Sequence, residues 1–144
     1  MRDACFGRRR LATGAALLLA VCAVGCGRQM AQVTGTITLD NGSPLTRGLV
    51  VFEGTVDGKP VMARGEVKAD GHYLLSTAKP GDGIPPGTYR VLINPLDSSD
   101  IPDEQKNLPF DYKYMRYDTS GLEYEVKPGT NDFSIKLGPP RRRR

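Results

Sequence analysis

The chain has 144 residues, a formal net charge of +4, one His, three Cys and no Trp. At this length one domain is expected. A multidomain enzyme and a polytopic membrane protein are excluded. The charge is uneven. Residues 1–26 carry +3, the run Arg141–Arg144 carries +4, and the body 27–140 has 12 Lys+Arg against 15 Asp+Glu. The sequence pI of 9.1 therefore describes the two ends. No basic face in the body points to nucleic acid.

Arg2, Arg8, Arg9 and Arg10 precede an uncharged apolar run from Leu11 to Gly25. A basic start followed by a short apolar stretch is the pattern of a secretory signal peptide. The run is shorter than the roughly 20 residues of a comfortable membrane span. It ends in Ala23-Val24-Gly25-Cys26, which resembles the bacterial lipobox. That resemblance implies a signal peptide over 1–25 and acylation of Cys26, with 26–32 as acylated Cys and tether. An ordinary signal peptide cut nearby and an uncleaved N-terminal anchor are the alternatives. Arg8-Arg9-Arg10-Leu11 is read as a plain basic start rather than a twin-arginine signal. Cys5 and Cys22 would leave with the signal, so no disulfide is expected in an oxidising compartment where one is permitted. Two or three acyl chains hold firmly where one holds weakly. The expected location is extracytoplasmic and membrane-anchored, with Gly27 after the Cys favouring the outer membrane.

From Val33 onward the pattern has period 2. Val33, Gly35, Ile37 and Leu39 alternate with threonines. This spacing predicts a half-buried strand. Asp40-Asn41-Gly42 supplies a turn. Strands follow at Leu49–Glu53, with Val50 and Phe52 inward, and at Val61–Val67 after Asp57-Gly58. Others follow at His72–Thr77, with Tyr73 and Leu75 inward, and at Tyr89–Ile93. The last two are Leu122–Val126 and, beyond the Pro128-Gly129 turn signal, Phe133–Leu137. Seven short strands without a convincing helix predict a seven-stranded antiparallel β-sandwich over 33–138. A disordered tail is expected over 139–144, where Pro139 and Pro140 precede four arginines.

The order of Val33-Thr-Gly-Thr-Ile-Thr-Leu, Pro44-Leu45, Val50-Val51-Phe52, Asp70-Gly71-His72-Tyr73-Leu74-Leu75 and Pro86-Gly87-Thr88-Tyr89-Arg90-Val91 resembles transthyretin-like modules. These are also called prealbumin-like or carboxypeptidase regulatory-like domains. Lys113-Tyr114, Thr119-Ser120-Gly121-Leu122 and Gly129-Thr130-Asn131 extend the likeness to small bacterial lipoproteins carrying one such module. The resemblance covers about residues 33–137. It implies a transthyretin-like or Ig-like sandwich acting as an accessory or interaction domain without catalysis. Enzymes of similar folds, the hydroxyisourate hydrolases and the intradiol dioxygenases, need more histidines than His72. A Ser–His–Asp triad would also have to use His72, which sits at a turn and reads as solvent-facing. No HExxH, CxxC or phosphate-cradling glycine loop is present.

The longest connection is Asn94–Asp118, and loops of that length are uncommon unless functional or disordered. Asp97, Asp100, Asp103 and Glu104 form an acidic cluster of oxygen donors suited to Ca²⁺. Their spacing matches no EF-hand, and a solvated acidic loop is the favoured reading; no metal or cofactor is expected. The second half places Phe110, Tyr112, Tyr114, Arg116 and Tyr117 close together. Exposed Tyr and Arg are what interfaces use. These five are the candidate binding residues, with capping of the sandwich end as the alternative for some rings. Lys79–Thr88, rich in Pro and Gly, is read as a stiff structural loop. The expectation is a non-catalytic, lipid-anchored envelope module with a protein partner in the envelope. Binding of a saccharide or other small ligand is the alternative.

Overall fold

The computed structural model describes residues 29–95 and 108–141. The signal segment, Cys26, and the acidic residues Asp97, Asp100, Asp103 and Glu104 lie outside the described residues, as do Arg142–Arg144. Eight strands are described: β1 Gln32–Thr38, β2 Leu49–Val56, β3 Lys59–Glu66, β4 His72–Leu74, β5 Gly87–Asn94, β6 Glu123–Val126, β7 Thr130–Asp132 and β8 Ile135–Lys136. They form two sheets. One has the order β4-β1-β7, with β8 also on β1; the other has the order β3-β2-β5-β6. The architecture is an all-β sandwich.

The alternation explains which face is inside. Val33 and Ile37 on β1, Val50 and Phe52 on β2, Ala63 on β3, Tyr73 on β4, and Tyr89, Val91 and Ile93 on β5 are all buried. They belong to one core between the sheets. Each comes from the inward register of a period-2 strand. Leu75, Ile84, Val126, Ile135 and Leu137 also belong to it.

Two features correct the expected count of seven antiparallel strands. First, the final strand is two pieces. β7 and β8 pair with β1 in one continuous register, Thr34 opposite Asp132 and Ile37 opposite Ile135. Between them the Phe133 carbonyl turns inward and accepts a hydrogen bond of 2.7 Å from the Tyr73 hydroxyl. Gly35 makes this possible, because a Cβ there would lie 2.1 Å from the Phe133 oxygen and 2.7 Å from the Tyr73 hydroxyl. Second, both pieces run parallel to β1. The remaining ladders, β1–β4, β2–β3, β2–β5 and β5–β6, are antiparallel.

Other boundaries shift for local reasons. β2 and β3 extend to a two-residue turn closed by Val56 opposite Lys59. Asp57 and Gly58 both have positive φ there, 50° and 72°. This is the geometry that Asp-Gly favours in tight hairpins. The expected strand His72–Thr77 ends at Leu74, and Ser76 instead exchanges hydrogen bonds with Arg64 of β3, both 2.9 Å. That bridge joins the two sheets along one side. The expected tether 26–32 is shorter, because Ala31 and Ile84 already exchange hydrogen bonds of 2.8 and 2.9 Å. Arg141, the last described residue, lies beside Asp111. Arg141 Nε lies 3.0 Å from Asp111 Oδ2.

The loop read as stiff through its Pro and Gly is organised by Asp82. Its carboxylate accepts hydrogen bonds from the backbone N–H of Thr77, Ala78 and Lys79 and from the Thr77 hydroxyl, at 2.8–3.0 Å. These donors favour the ionised form and lower its pKa to about 2. The Tyr89 hydroxyl donates to the Pro85 carbonyl at 2.6 Å and fixes the loop's return into β5. A tyrosine bonding back to backbone a few residues upstream is a device of sandwich corners.

Candidate interaction surface

The second half of the long connection splits its aromatic residues three ways. Asp111 is buried, and its Oδ1 accepts a 3.0 Å hydrogen bond from the Lys113 backbone N–H, which starts a 3-10 turn over Tyr112–Met115. That turn sends Phe110 and Tyr114 into the core at 2% and 7% exposure. Their rings meet edge to face with centroids 6.5 Å apart. The Asp111 N–H donates to the Gly138 carbonyl, and the Gly138 N–H donates to the Tyr114 hydroxyl, both at 3.1 Å. The segment is therefore clamped to the strand that follows β8. Phe110 and Tyr114 are the buried part of the candidate set, and they close the sandwich.

The other three candidates face outward. Tyr112 is 37% exposed. Arg116 pairs with Asp118 through two hydrogen bonds of 3.1 and 3.2 Å. This contact raises the Arg116 pKa and lowers that of Asp118. Tyr117 lies under the Arg90 guanidinium, 5.6 Å from ring centroid to Cζ. Burial, and then the charge of Glu53, push the Tyr117 phenol above its ordinary range, against the pull of Arg64 and Arg90. The candidate five are thus brought together in sequence but not on one surface.

Tyr117 points to a surface that the loop alone does not reveal. It rests on the outer face of the β3-β2-β5-β6 sheet. Across that face the register places Met62, Glu53, Arg90 and Glu123 in one row on neighbouring strands. Arg90 has a carboxylate residue directly opposite on each side. A depression of about 280 Å³ opens here, lined by Glu53, Gly54, Thr55, Pro60, Thr88, Arg90 and Glu123. Met62 is 44% exposed at the edge of this face, and its sulfur accepts a 3.3 Å contact from Arg64. The sequence carried a signal for this row. The outward positions of four predicted strands hold Glu53, Met62, Arg90 and Glu123; their alignment needed the strand order.

His72 stands exposed on β4, with Nδ1 3.3 Å from Thr36 Oγ1. Its backbone N–H donates to Asp70 at 3.0 Å, which builds the turn. Among the described residues no three His, Cys, Asp or Glu side chains gather as metal ligands. No helix among them is long and apolar enough to cross a membrane. Comparison with known protein families, with curated proteins and with solved structures finds no match for the chain.

Proposed function

We propose that this chain is a lipid-anchored extracytoplasmic protein whose β-sandwich is a non-catalytic interaction or structural module of the bacterial cell envelope. In this reading it is a small lipoprotein with a transthyretin-like domain, acylated at Cys26. The observation that carries the interaction reading is the outer face of the β3-β2-β5-β6 sheet. Arg90 stacks there on Tyr117 between Glu53 and Glu123, with Met62 exposed at the rim. Arg, Tyr and Met are enriched where proteins meet. Crosslinking of the membrane-bound protein, followed by mass spectrometry, tests it. A stoichiometric partner lost on Tyr117→Ala or Arg90→Ala supports the reading. An absence of any protein adduct contradicts it.

A second reading, binding of a saccharide or other small envelope ligand, rests on the depression beside Arg90. Acceptors and donor alternate across the sheet at Glu53, Arg90 and Glu123, with Thr55 and Thr88 beside them in the lining. Such convergent polar groups fix a small ligand's orientation. A glycan array probed with the wild-type protein and with Arg90→Ala tests this reading, and silence of both removes it.

The anchor reading has its own test. Cys26→Ser should release the protein from the membrane fraction. Retention of this variant would overturn lipidation at that residue.

A further inference from the structure

The two ends of the sandwich are not equivalent with respect to the anchor. We propose that the end formed by Met30, the β2–β3 turn and the β6–β7 turn is the face held against an anionic lipid surface. The opposite end, with the Asp40–Ser43 turn and Arg141, then projects away from it. This inference rests on acylation of Cys26.

Three observations place the first end together. Val56 and Lys59 close the β2–β3 turn. A Cβ on Gly87 would lie 2.9 Å from the Val56 side chain, and Gly87 pairs with Val126, where the β6–β7 turn begins. That turn returns to the start of β1, since the Gln32 N–H donates to the Gly129 carbonyl at 2.8 Å. The chain therefore enters the domain at the end that carries both turns. Met30 is 36% exposed beside this entry. Lys59 and Lys127 sit on the two turns, and both are exposed. Asp57 shares the first turn, so the two turns together carry one net positive charge. Clustered Lys and Arg next to a membrane attachment favour anionic lipid.

The length of the tether favours this orientation over the inverted one. Ala31 is pinned to Ile84 by two hydrogen bonds. The stretch from Cys26 to Ala31 therefore reaches at most about 18 Å at full extension. The ends of β1 lie about 20 Å apart at ~3.3 Å per residue, and the Asp40–Ser43 turn extends beyond its far end. Turning the far end onto the bilayer would lift the entry point by more than that reach. Because β7 and β8 run parallel to β1, the chain leaves the domain at the far end. Arg141 lies there beside Asp111, whose N–H donates to the Gly138 carbonyl. The arginine run 141–144 thus begins on the side remote from the anchor.

The test uses the acylated full-length protein in vesicles containing a headgroup-bound fluorescence quencher. A dye is attached to Thr130→Cys, at the start of β7, or to Thr46→Cys, in the loop before β2. Both positions are exposed. The expected result is at least threefold stronger quenching at position 130 than at 46. Lys59→Glu/Lys127→Glu should lower the signal at position 130 on anionic vesicles towards its value on neutral ones. Floating protein with equal quenching at both positions, or stronger quenching at 46, overturns the orientation and leaves the anchor standing. Protein that fails to float with the vesicles overturns the anchor, and the orientation falls with it.

Discussion

Two groups of four aromatic residues behave differently. Phe52, Tyr89, Tyr124 and Phe133 come from strands or their direct continuation, and all four face the space between the sheets. Phe52 lies 6.0–6.4 Å from each of the other three rings, and Tyr124 stacks on Phe133 at 4.6 Å. Phe110, Tyr112, Tyr114 and Tyr117 come from a connection with one 3-10 turn. Two of them are core, one lies on the outer sheet face under Arg90, and one is partly exposed. Period 2 gives every second side chain the same face, whereas a 3-10 turn with an Asp cap distributes neighbours to different sides. Composition alone therefore assigns no role to an aromatic cluster; the backbone that carries it decides.

Truncation sharpens this contrast. Phe52→Ala should cost about 3–5 kcal/mol in denaturant unfolding, the range for a fully buried aromatic. Phe110→Ala should cost about 3 kcal/mol despite its place in a connection. A loss below about 0.5 kcal/mol, typical of surface sites, would put Phe110 outside the core. Gly35→Ala should cost about 1–3 kcal/mol by overpacking against the Phe133 carbonyl. Tyr73→Phe should cost about 1 kcal/mol through the lost hydrogen bond. The two losses should be non-additive in a double-mutant cycle, because both act on one contact. Additive losses would separate Gly35 from that contact.

Much of the inner region was legible in the sequence. The alternation from Val33 to Ile37, from Val61 to Val67 and from Tyr89 to Ile93 names buried residues directly. Phe133, Ile135 and Leu137 also take the inward positions expected of them. What stayed hidden depends on partners distant in sequence. The parallel pairing of β7 and β8 with β1 and the turned Phe133 carbonyl required Gly35 and Tyr73 to be seen together. Asp82 looked like one more turn residue, because its three backbone donors are fixed only once the loop is closed. For the candidate site, the five residues were found as a run, but their separation by the Asp111 cap was not. The row Met62-Glu53-Arg90-Glu123 needed the order β3-β2-β5-β6.

Smaller effects probe the loop and the surface. The Asp82 pKa falls from an ordinary 3.8 to about 2. Its contribution to stability is thus fully present above about pH 4 and is lost as pH falls towards 2. Asp82→Asn should lower the thermal midpoint at neutral pH and flatten the acid limb of the stability profile between those values. An unchanged acid limb would show that the carboxylate does not hold the loop. Tyr112→Ala should change stability by no more than about 0.5 kcal/mol.

The most direct test of the interaction account compares the outer faces of the two sheets in the membrane-bound protein. Met62 and Leu74 have nearly equal exposure, 44% and 41%, and lie on opposite sheets. A photoreactive side chain is placed at each in turn, and adducts are identified by mass spectrometry. The account predicts one stoichiometric protein adduct from position 62 and none from position 74. No adduct from position 62, or the same adducts from both, would contradict it.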